Sequence, residues 1–253
     1  MVALLAISGS AQTIRTMPYD HIHLAVPDPD KAYEWYLNNL DGQPGENPGR
    51  VMFEPYSGKR PLPVLVIFQR SGDAKPSEGS VIDSIAFSVP DVAAKQKALE
   101  GAGAKGVAPG VVTDPWGTKS ELVNDVPWRG FHHVTLRVEN PDETIRWFAS
   151  TFGGQRTKSG GRDALRYGRT YLIITKGTAT APSQGRSIDH LGFAPLNMNA
   201  ETAAMKTQGV KFTSEPAAMP NQFGHRTAYV EAPGGIRIEL VEHTTCAWGK
   251  APE

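Results

Sequence analysis

Residues that can bind a metal ion recur in this sequence on the polar sides of strand-like segments. Successive side chains of a strand point to opposite faces, so alternation between apolar and polar residues gives one face of each kind. Three such segments, FHHVTLRV, IDHLGF and GGIRIELVE, place His133, His190 and Glu239 opposite their apolar residues. If the apolar faces pack on helices, the polar faces share one side of a curved sheet. Two imidazoles and one carboxylate would then form a divalent metal site with open coordination positions.

An earlier segment, YDHIHLAV, has the same alternation and places His21 and His23 on its polar face. Its half of the chain lacks a complete set of partners, because Ser84 stands at the position that His190 has in the later repeat. We therefore expect the metal site in the second half of the chain. His21 and His23 are expected to be remnants of a site or solvent-facing groups.

The carboxylate ligand of the first half depends on how its last segment is aligned. One alignment places Glu121 opposite Glu239 and supplies a carboxylate to the first half. The other alignment, which is the better match, pairs Gly117 with Gly224 and leaves the first half without a final strand. Under either alignment we expect the first-half site to be incomplete.

The elements that must position these side chains are repeated along the chain. Two pairs of segments agree without gaps: residues 20–43 with 132–155 at an offset of 112, and residues 82–91 with 188–197 at an offset of 106. Each segment reads as a strand and then a helix, and further strand-like runs follow. The chain is therefore expected to be an α+β protein of four βαβββ-type modules. The predicted domains are residues 18–128 and 129–253.

The composition excludes several classes of protein. Basic and acidic residues number 26 each, so the formal net charge is zero, which argues against general electrostatic binding to nucleic acid or anionic membranes. No apolar run approaches the roughly 20 residues of a membrane span. The single cysteine, Cys246, excludes an internal disulfide and a thiolate metal cluster.

The N-terminal segment, residues 1–17, is set aside from the fold. It begins MVALLAISGSA, a short apolar run followed by small residues that end at Ala11. Two interpretations stay open. Either residues 1–11 are the remnant of a signal peptide, which would place the protein in the periplasm, or they are the ordinary start of a cytoplasmic protein.

The segments HHVTLRVENPDETIRWF, SIDHLGF and AYVEAPGGIRIELVE resemble the vicinal oxygen chelate superfamily, which includes glyoxalase I, type I extradiol dioxygenases and bleomycin-resistance proteins. The resemblance covers residues 18–243. It implies two tandem domains with curved mixed sheets and helices on the convex face, the first domain being degenerate. It also implies a metal held by His133, His190 and Glu239. Fe²⁺ is favoured for this ligand set, and Mn²⁺, Zn²⁺ or Ni²⁺ also suit it.

Three further residues of the second half are candidate site residues. Tyr229 lies in a context similar to that of the tyrosine that hydrogen-bonds the substrate in extradiol enzymes. His225 is a candidate acid–base residue near the mouth of the site. Arg237 shares the face of Glu239 and could hold a substrate carboxylate through two hydrogen bonds.

The function predicted from this pattern is a metal-dependent enzyme that acts on a small oxygen-rich substrate, with an extradiol-like dioxygenase favoured. A glyoxalase- or epimerase-like isomerase or lyase is the second hypothesis, although those enzymes usually have four protein ligands and only three are evident in the sequence. A ligand-sequestering protein of the bleomycin-resistance type is the third hypothesis, and it needs no metal. The predicted partner is the small-molecule substrate, and assembly as a homodimer is left open.

Overall fold

The computed structural model describes residues 15–45, 47–53, 64–126, 128–178, 181–219 and 225–243. The sequence-based expectations for residues 1–14 and for Cys246 lie outside these ranges. Two eight-stranded mixed sheets and four helices make up the part of the chain that is described.

Four modules follow one another along the chain, and each contains a strand, a helix and further strands. The first comprises β1 (Tyr19–Val26), α1 (Pro29–Asn39), β2 (Gln43–Pro44), β3 (Arg50–Phe53) and β4 (Val64–Arg70). The second comprises β5 (Ile82–Ser88), α2 (Val92–Gly101), β6 (Lys105–Ala108), β7 (Val111–Thr113) and β8 (Lys119–Val123). The third comprises β9 (Gly130–Val138), α3 (Pro141–Phe152), β10 (Gln155–Ser159), β11 (Arg162–Tyr167) and β12 (Thr170–Lys176). The fourth comprises β13 (Ile188–Phe193), α4 (Met198–Thr207), β14 (Lys211–Ala218), β15 (Arg226–Ala232) and β16 (Ile236–Glu242). The predicted α+β fold of four repeated modules is confirmed.

The sheets combine modules from different halves of the chain. The first sheet has the order β14-β15-β16-β13-β1-β4-β3-β2, and the second has the order β10-β11-β12-β9-β5-β8-β7-β6. Strand β1 pairs antiparallel with β13, and β5 pairs antiparallel with β9. Modules one and four therefore share one sheet, and modules two and three share the other. The division into residues 18–128 and 129–253 stays a prediction, but neither part has a sheet to itself.

The final strand of the first half is present as β8. Glu121 lies on it, where β8 runs parallel to β5 and Glu121 is the register partner of Ala86. Glu239 has the matching position on β16, beside Gly192 of β13. The better-matching alignment of Gly117 with Gly224 is therefore wrong, and the alignment that places Glu121 opposite Glu239 is correct.

Helix α3 shows how the local sequence fixes these elements. Asn140 caps the helix by accepting a hydrogen bond from the backbone N–H of Glu143, and Pro141 occupies the first turn. The amide of Asn140 also donates to the Glu143 carboxylate at 3.1 Å, so the two residues bind each other reciprocally at the start of the helix. Phe148 and Phe152 of this helix are completely buried.

Aromatic side chains join the two sheets. Phe53 of β3, in the first sheet, lies 5.1 Å between ring centroids from Phe87 of β5, in the second sheet. Phe87 in turn contacts Phe131 of β9 at 5.7 Å. The segments that lead into β5 and β13 also meet, because the backbone N–H of Val81 donates to the carbonyl of Ala181. These contacts make one continuous core, and the histidine-bearing faces lie away from it.

Within the described residues, no helix combines the length and the apolar character needed to cross a membrane.

Candidate metal centre

Four side chains converge on the polar face of the first sheet. They are His21 and His23 of β1, His190 of β13 and Glu239 of β16, and their ligand atoms all lie within 4.8 Å of one another. Among the described residues, this is the one group of three or more His, Cys, Asp or Glu side chains with such geometry. Three of the four are nearly inaccessible, whereas the side chain of His23 is 18% exposed. The group is therefore largely buried, and His23 is its most exposed member.

Strand pairing brings these residues together. Because β1 and β13 are antiparallel neighbours, His23 lies directly opposite His190, and their rings stack with centroids 4.2 Å apart. Because β16 runs parallel to β13 on its other side, Glu239 reaches the same space from the next strand. Register between three adjacent strands is enough to form the group.

A glycine makes room for one of the ligands. His21 lies opposite Gly192 on β13, and a Cβ atom at Gly192 would collide with the imidazole of His21. Several glycines of the described residues have a positive φ, but Gly192 is not one of them. The close approach of the imidazole therefore explains why a side chain is absent here.

Carboxylates hydrogen-bond to two of the imidazoles through the ring nitrogen that points away from the group. Nδ1 of His21 is 2.6 Å from Asp20, and Nδ1 of His190 is 2.6 Å from Asp189. Nε2 of both rings then points into the group, and each Nε2 lies 3.1 Å from the same oxygen, Oε2 of Glu239. A carboxylate that accepts one ring N–H fixes the orientation of a histidine whose other nitrogen binds a metal.

Further side chains hold these two carboxylates. Asp20 also accepts a hydrogen bond from Nε2 of His243 at 2.8 Å. Asp189 accepts from the guanidinium of Arg237 at 2.6 Å and from the backbone N–H of Gly185 at 2.8 Å. These hydrogen bonds fix the position of both imidazole–carboxylate pairs.

The pKa values follow from this packing. Burial would raise the pKa of Glu239, but hydrogen bonds from His190 and His21 hold it well below its usual range. Burial would lower the pKa of His21, and its hydrogen bonds to Asp20 and Glu239 outweigh this and raise it to about 9. Burial, together with the neighbouring histidines, lowers the pKa of His23. Glu239 is therefore ionised and His23 neutral, the forms in which both residues bind metals.

The donor set fits a divalent metal ion. Two ligands at about 2.1 Å from a metal and at right angles to each other lie about 3.0 Å apart, close to the observed separations from Glu239. Nδ1 of His23 is buried and has no hydrogen-bond partner among the described residues. Imidazole nitrogens and a carboxylate suit Fe²⁺, Mn²⁺, Zn²⁺ and Ni²⁺ alike, so the set does not select one metal.

Of the three predicted ligands, the structure brings together two. His190 and Glu239 are in the group, but His133 lies on β9 in the second sheet, where its Nε2 is 3.4 Å from Glu121. The expectation assumed that the second half of the chain forms its own sheet. Because β13 pairs with β1 and not with β9, His21 takes the position expected for His133.

The expectation for His21 and His23 also has to be corrected, since both belong to the group. A signal in the sequence could have identified His21. The dipeptide Asp–His occurs at residues 20–21 and again at 189–190, whereas the corresponding positions of the other two modules hold His–His and Asp–Ser. The shared dipeptide marks the two modules that pair.

Tyr229 and Arg237 lie beside the group. Tyr229 is the register partner of Glu239, and its ring meets that of His190 edge to face at 5.5 Å. The guanidinium of Arg237 lies 4.2 Å from the centre of the Tyr229 ring and binds Asp189. Burial, and then the charge of Glu239, raise the pKa of the Tyr229 hydroxyl, which therefore stays protonated and able to donate a hydrogen bond.

His225 lies further from the group. It is buried, its Nδ1 is 3.3 Å from the carbonyl oxygen of Glu242, and its ring contacts the ring of His243 at 4.9 Å. His243 reaches Asp20, which holds His21, so two residues stand between His225 and the nearest member of the group. Its acid–base role stays a prediction.

Sequence comparison identifies the family. A sequence model of the Glyoxalase/Bleomycin resistance protein/Dioxygenase superfamily matches residues 130–240, which include His190 and Glu239. The matched segment, modules three and four, is a domain of this superfamily. No curated protein matches the sequence of the chain. His21 and His23 lie in module one, outside the matched segment.

Solved structures extend the likeness in fold to the rest of the chain. Glyoxalase I from Zea mays has 18% sequence identity and a TM-score of 0.68, over 90% of this chain and 92% of that chain. A candidate dioxygenase from Bacillus subtilis subsp. subtilis str. 168 has 19% identity and a TM-score of 0.61, over 92% of this chain and 87% of that chain. At these identities the likeness shows the fold alone.

Proposed function

We propose that this protein is a divalent-metal-dependent enzyme that acts on a small molecule with two adjacent oxygen atoms, and that the reaction is an isomerisation or lyase reaction of the glyoxalase or epimerase type. The observation that carries the proposal is the convergence of four side-chain donors, three imidazoles and one carboxylate, within 4.8 Å of one another on the polar face of one sheet. The likeness in fold to glyoxalase I of Zea mays agrees with it.

The number of donors favours this reaction type. A six-coordinate metal with four protein ligands keeps two free positions, enough for two oxygens of a substrate. An oxygen-activating enzyme that also binds both substrate oxygens needs a third position for O₂, as in sites with two histidines and one carboxylate. With His23 as a fourth ligand, that third position is filled.

The metal would supply Lewis-acid stabilisation of the negative charge that develops on the substrate oxygens. The residues of the chain prepare its site and the bound substrate. Asp20 and Asp189 keep the Nε2 atoms of their histidines aimed at one point. Tyr229, protonated and next to Glu239, donates a hydrogen bond to a substrate oxygen. The guanidinium of Arg237 packs on the face of the Tyr229 ring and positions it.

A dioxygenase is the second candidate, and the geometry of His23 favours it. Nε2 of His23 is 3.8 Å from Oε2 of Glu239, whereas the corresponding distance for His21 and for His190 is 3.1 Å. If His23 is not a ligand, the remaining three donors form a two-histidine, one-carboxylate set with room for O₂.

Metal analysis of the purified protein and of two histidine variants tests the site. We expect one divalent ion per chain in the wild type and a loss of most of it in His190→Ala. His133→Ala is the matched control, because His133 has the corresponding position in the other sheet and should leave the metal content unchanged. A wild type without metal, or equal metal content in all three proteins, would refute the proposed centre.

The reaction type is tested with the metal-loaded protein and two substrate panels. Exchange of the proton next to the carbonyl of α-hydroxyketones, followed by NMR in D₂O, is expected if the enzyme stabilises an enediolate. Oxygen uptake with catechols would instead support the dioxygenase. Metal binding with neither reaction and with tight binding of a panel compound would support a sequestering protein.

A further inference from the structure

The second sheet contains a counterpart of every residue in the metal-binding group. At the repeat offsets of 112 and 106, the positions of His21, His23 and His190 are held by His133, Thr135 and Ser84. Strand register adds Glu121 at the position of Glu239. The same four places of the fold therefore hold one imidazole, one carboxylate and two hydroxyl groups.

Three of these side chains contact the fourth, Glu121. The carboxylate of Glu121 accepts hydrogen bonds from Ser84 at 2.6 Å and from Thr135 at 2.9 Å. Nε2 of His133 lies 3.4 Å from its other oxygen. The second sheet thus preserves the geometry of the first, with Glu121 at its centre.

A guanidinium group lies beside Glu121 and His133. Arg162, the first residue of β11, donates to Oε2 of Glu121 at 3.1 Å and reaches Nε2 of His133 at 3.3 Å. It therefore contacts the two atoms that correspond to the ligand atoms of Glu239 and His21 in the first sheet. A positive charge occupies the place that a metal ion would take between them.

A hydrogen bond from Arg162 to His133 requires a lone pair on Nε2 of His133. Arg162 has only donors, so Nε2 of His133 must accept. Nδ1 of His133 then carries the proton and donates to Nδ1 of His132 at 2.8 Å, and Nε2 of His132 donates to Asp125 at 3.0 Å. This is the tautomer in which a histidine binds a metal through Nε2.

We propose that the guanidinium of Arg162 is a built-in cation that replaces the metal ion of a dormant second centre. The second sheet therefore carries a divalent-metal site from which the side chain of Arg162 excludes the metal ion. Removal of Arg162 opens it, and restoration of the missing imidazole at Ser84 completes it. The expected metal content of the wild type, one ion per chain, rests on the function proposed above, whereas the role of Arg162 does not.

The test uses the full-length chain with the first centre disabled by His190→Ala, and Co²⁺ as the probe. Binding is measured by titration of the visible absorption of Co²⁺ and by metal analysis. Four proteins are compared in this background: the parent, Arg162→Ala, Ser84→His, and the double variant Arg162→Ala/Ser84→His. Circular dichroism verifies that each one is folded.

The expected results distinguish the effect of removing the Arg162 cation from the effect of adding a histidine ligand at position 84. The parent and Ser84→His should bind little Co²⁺, because Arg162 is still present. Arg162→Ala should bind at least about tenfold more tightly than the parent, and the double variant should bind one Co²⁺ per chain more tightly again. Adding Glu121→Gln should abolish this binding.

Two results would overturn the proposal. One is Co²⁺ binding by Ser84→His that equals that of the double variant, because Arg162 would then exclude nothing. The other is a folded Arg162→Ala protein that binds no more tightly than the parent. A wild type without metal would refute the proposed function and leave this comparison intact, because it is made with the first centre disabled.

Discussion

At the scale of single residues, the candidate centre depends on side chains that hydrogen-bond to its histidines and fix the orientation of their rings. The imidazoles of His21 and His190 are aimed by Asp20 and Asp189, and those carboxylates are bound by His243 and Arg237. An imidazole that is free to rotate loses rotamer entropy when it binds a metal. One that is already fixed by a carboxylate does not, so the outer residues contribute to affinity without touching the ion.

Asp189→Asn tests this contribution. We expect metal affinity to fall by about 10- to 100-fold, because an amide is a weaker acceptor for Nδ1 of His190 and does not keep its ring in one orientation. The matched control is Asp83→Asn, at the corresponding position of the second sheet, where the carboxylate binds Lys119. Competition with a chelator measures both affinities. Equal affinity in Asp189→Asn and the wild type would contradict the positioning role.

Gly192→Ala tests the close approach of His21 to the backbone. The added Cβ would displace the imidazole, so we expect most of the metal to be lost while the fold is retained. Ala86 is the counterpart of Gly192 in the second sheet and lies opposite His133. Ala86→Gly should therefore leave the metal content unchanged. Metal content measured after dialysis decides, and a fully loaded Gly192→Ala protein would show that His21 is not a required ligand.

At the scale of elements, the turn between β7 and β8 is tied to helix α1 by one carboxyl group. Asp114 accepts hydrogen bonds from the backbone N–H groups of Trp116 at 2.9 Å and Thr118 at 2.7 Å. Its other oxygen accepts from the hydroxyl of Tyr36, on α1, at 2.9 Å. Burial outweighs these hydrogen bonds and raises the pKa of Asp114 to about 6.

This raised pKa predicts a dependence of stability on pH. The folded protein binds the proton of Asp114 more tightly than the unfolded chain, in which the pKa is about 3.8. The contribution of Asp114 to the free energy of unfolding should therefore be highest below about pH 4 and decline as the pH rises through about 6, by up to about 3 kcal/mol. Urea denaturation at several pH values measures it.

Asp114→Asn isolates the contribution of this group. The amide keeps an oxygen acceptor for the backbone N–H groups and can donate to Tyr36, and it has no charge to bury. The decline in stability between pH 4 and pH 6 should be smaller in the variant than in the wild type. Identical pH profiles for the two proteins would show that Asp114 is not the group responsible.

At the scale of the whole molecule, the two sheets share one core, so the metal site and the second sheet should unfold together. Phe87 of the second sheet packs on Phe53 of the first and on Phe131. Helices α1 and α3 also contribute their aromatic side chains to this region. Phe152 of α3 stacks on Phe193 of β13 with ring centroids 4.3 Å apart. A ligand bound at one sheet is therefore expected to stabilise the entire chain.

Phe87→Ala tests this coupling. Removing a completely buried aromatic ring should lower the free energy of unfolding by about 3–5 kcal/mol, although Phe87 is not on the sheet that carries the candidate centre. The control is Phe212→Ala, because Phe212 is only partly buried on β14 and should cost less. Tryptophan fluorescence, circular dichroism and metal release should report one transition. Separate transitions for metal release and for loss of secondary structure would show independent units.

Much of this architecture could be predicted because it depends on local patterns. Alternating polarity located the strands and the faces of His190 and Glu239, and the repeat offsets revealed four modules. Caps such as Asn140, followed by Pro141, act within one turn of helix, so the start of α3 was also predictable. Each of these signals reflects interactions between residues that are near in sequence.

What the sequence by itself determined is the identity of the modules, the inward face of each strand and the donor type of each side chain. Only the tertiary structure decided which modules pair, and with it whether His133 or His21 joins His190. The alternation of polar and apolar residues along each strand is the same whichever modules pair, so local patterns do not distinguish the two pairings. The choice arises from packing between residues that are far apart in the chain, such as Phe53 and Phe87.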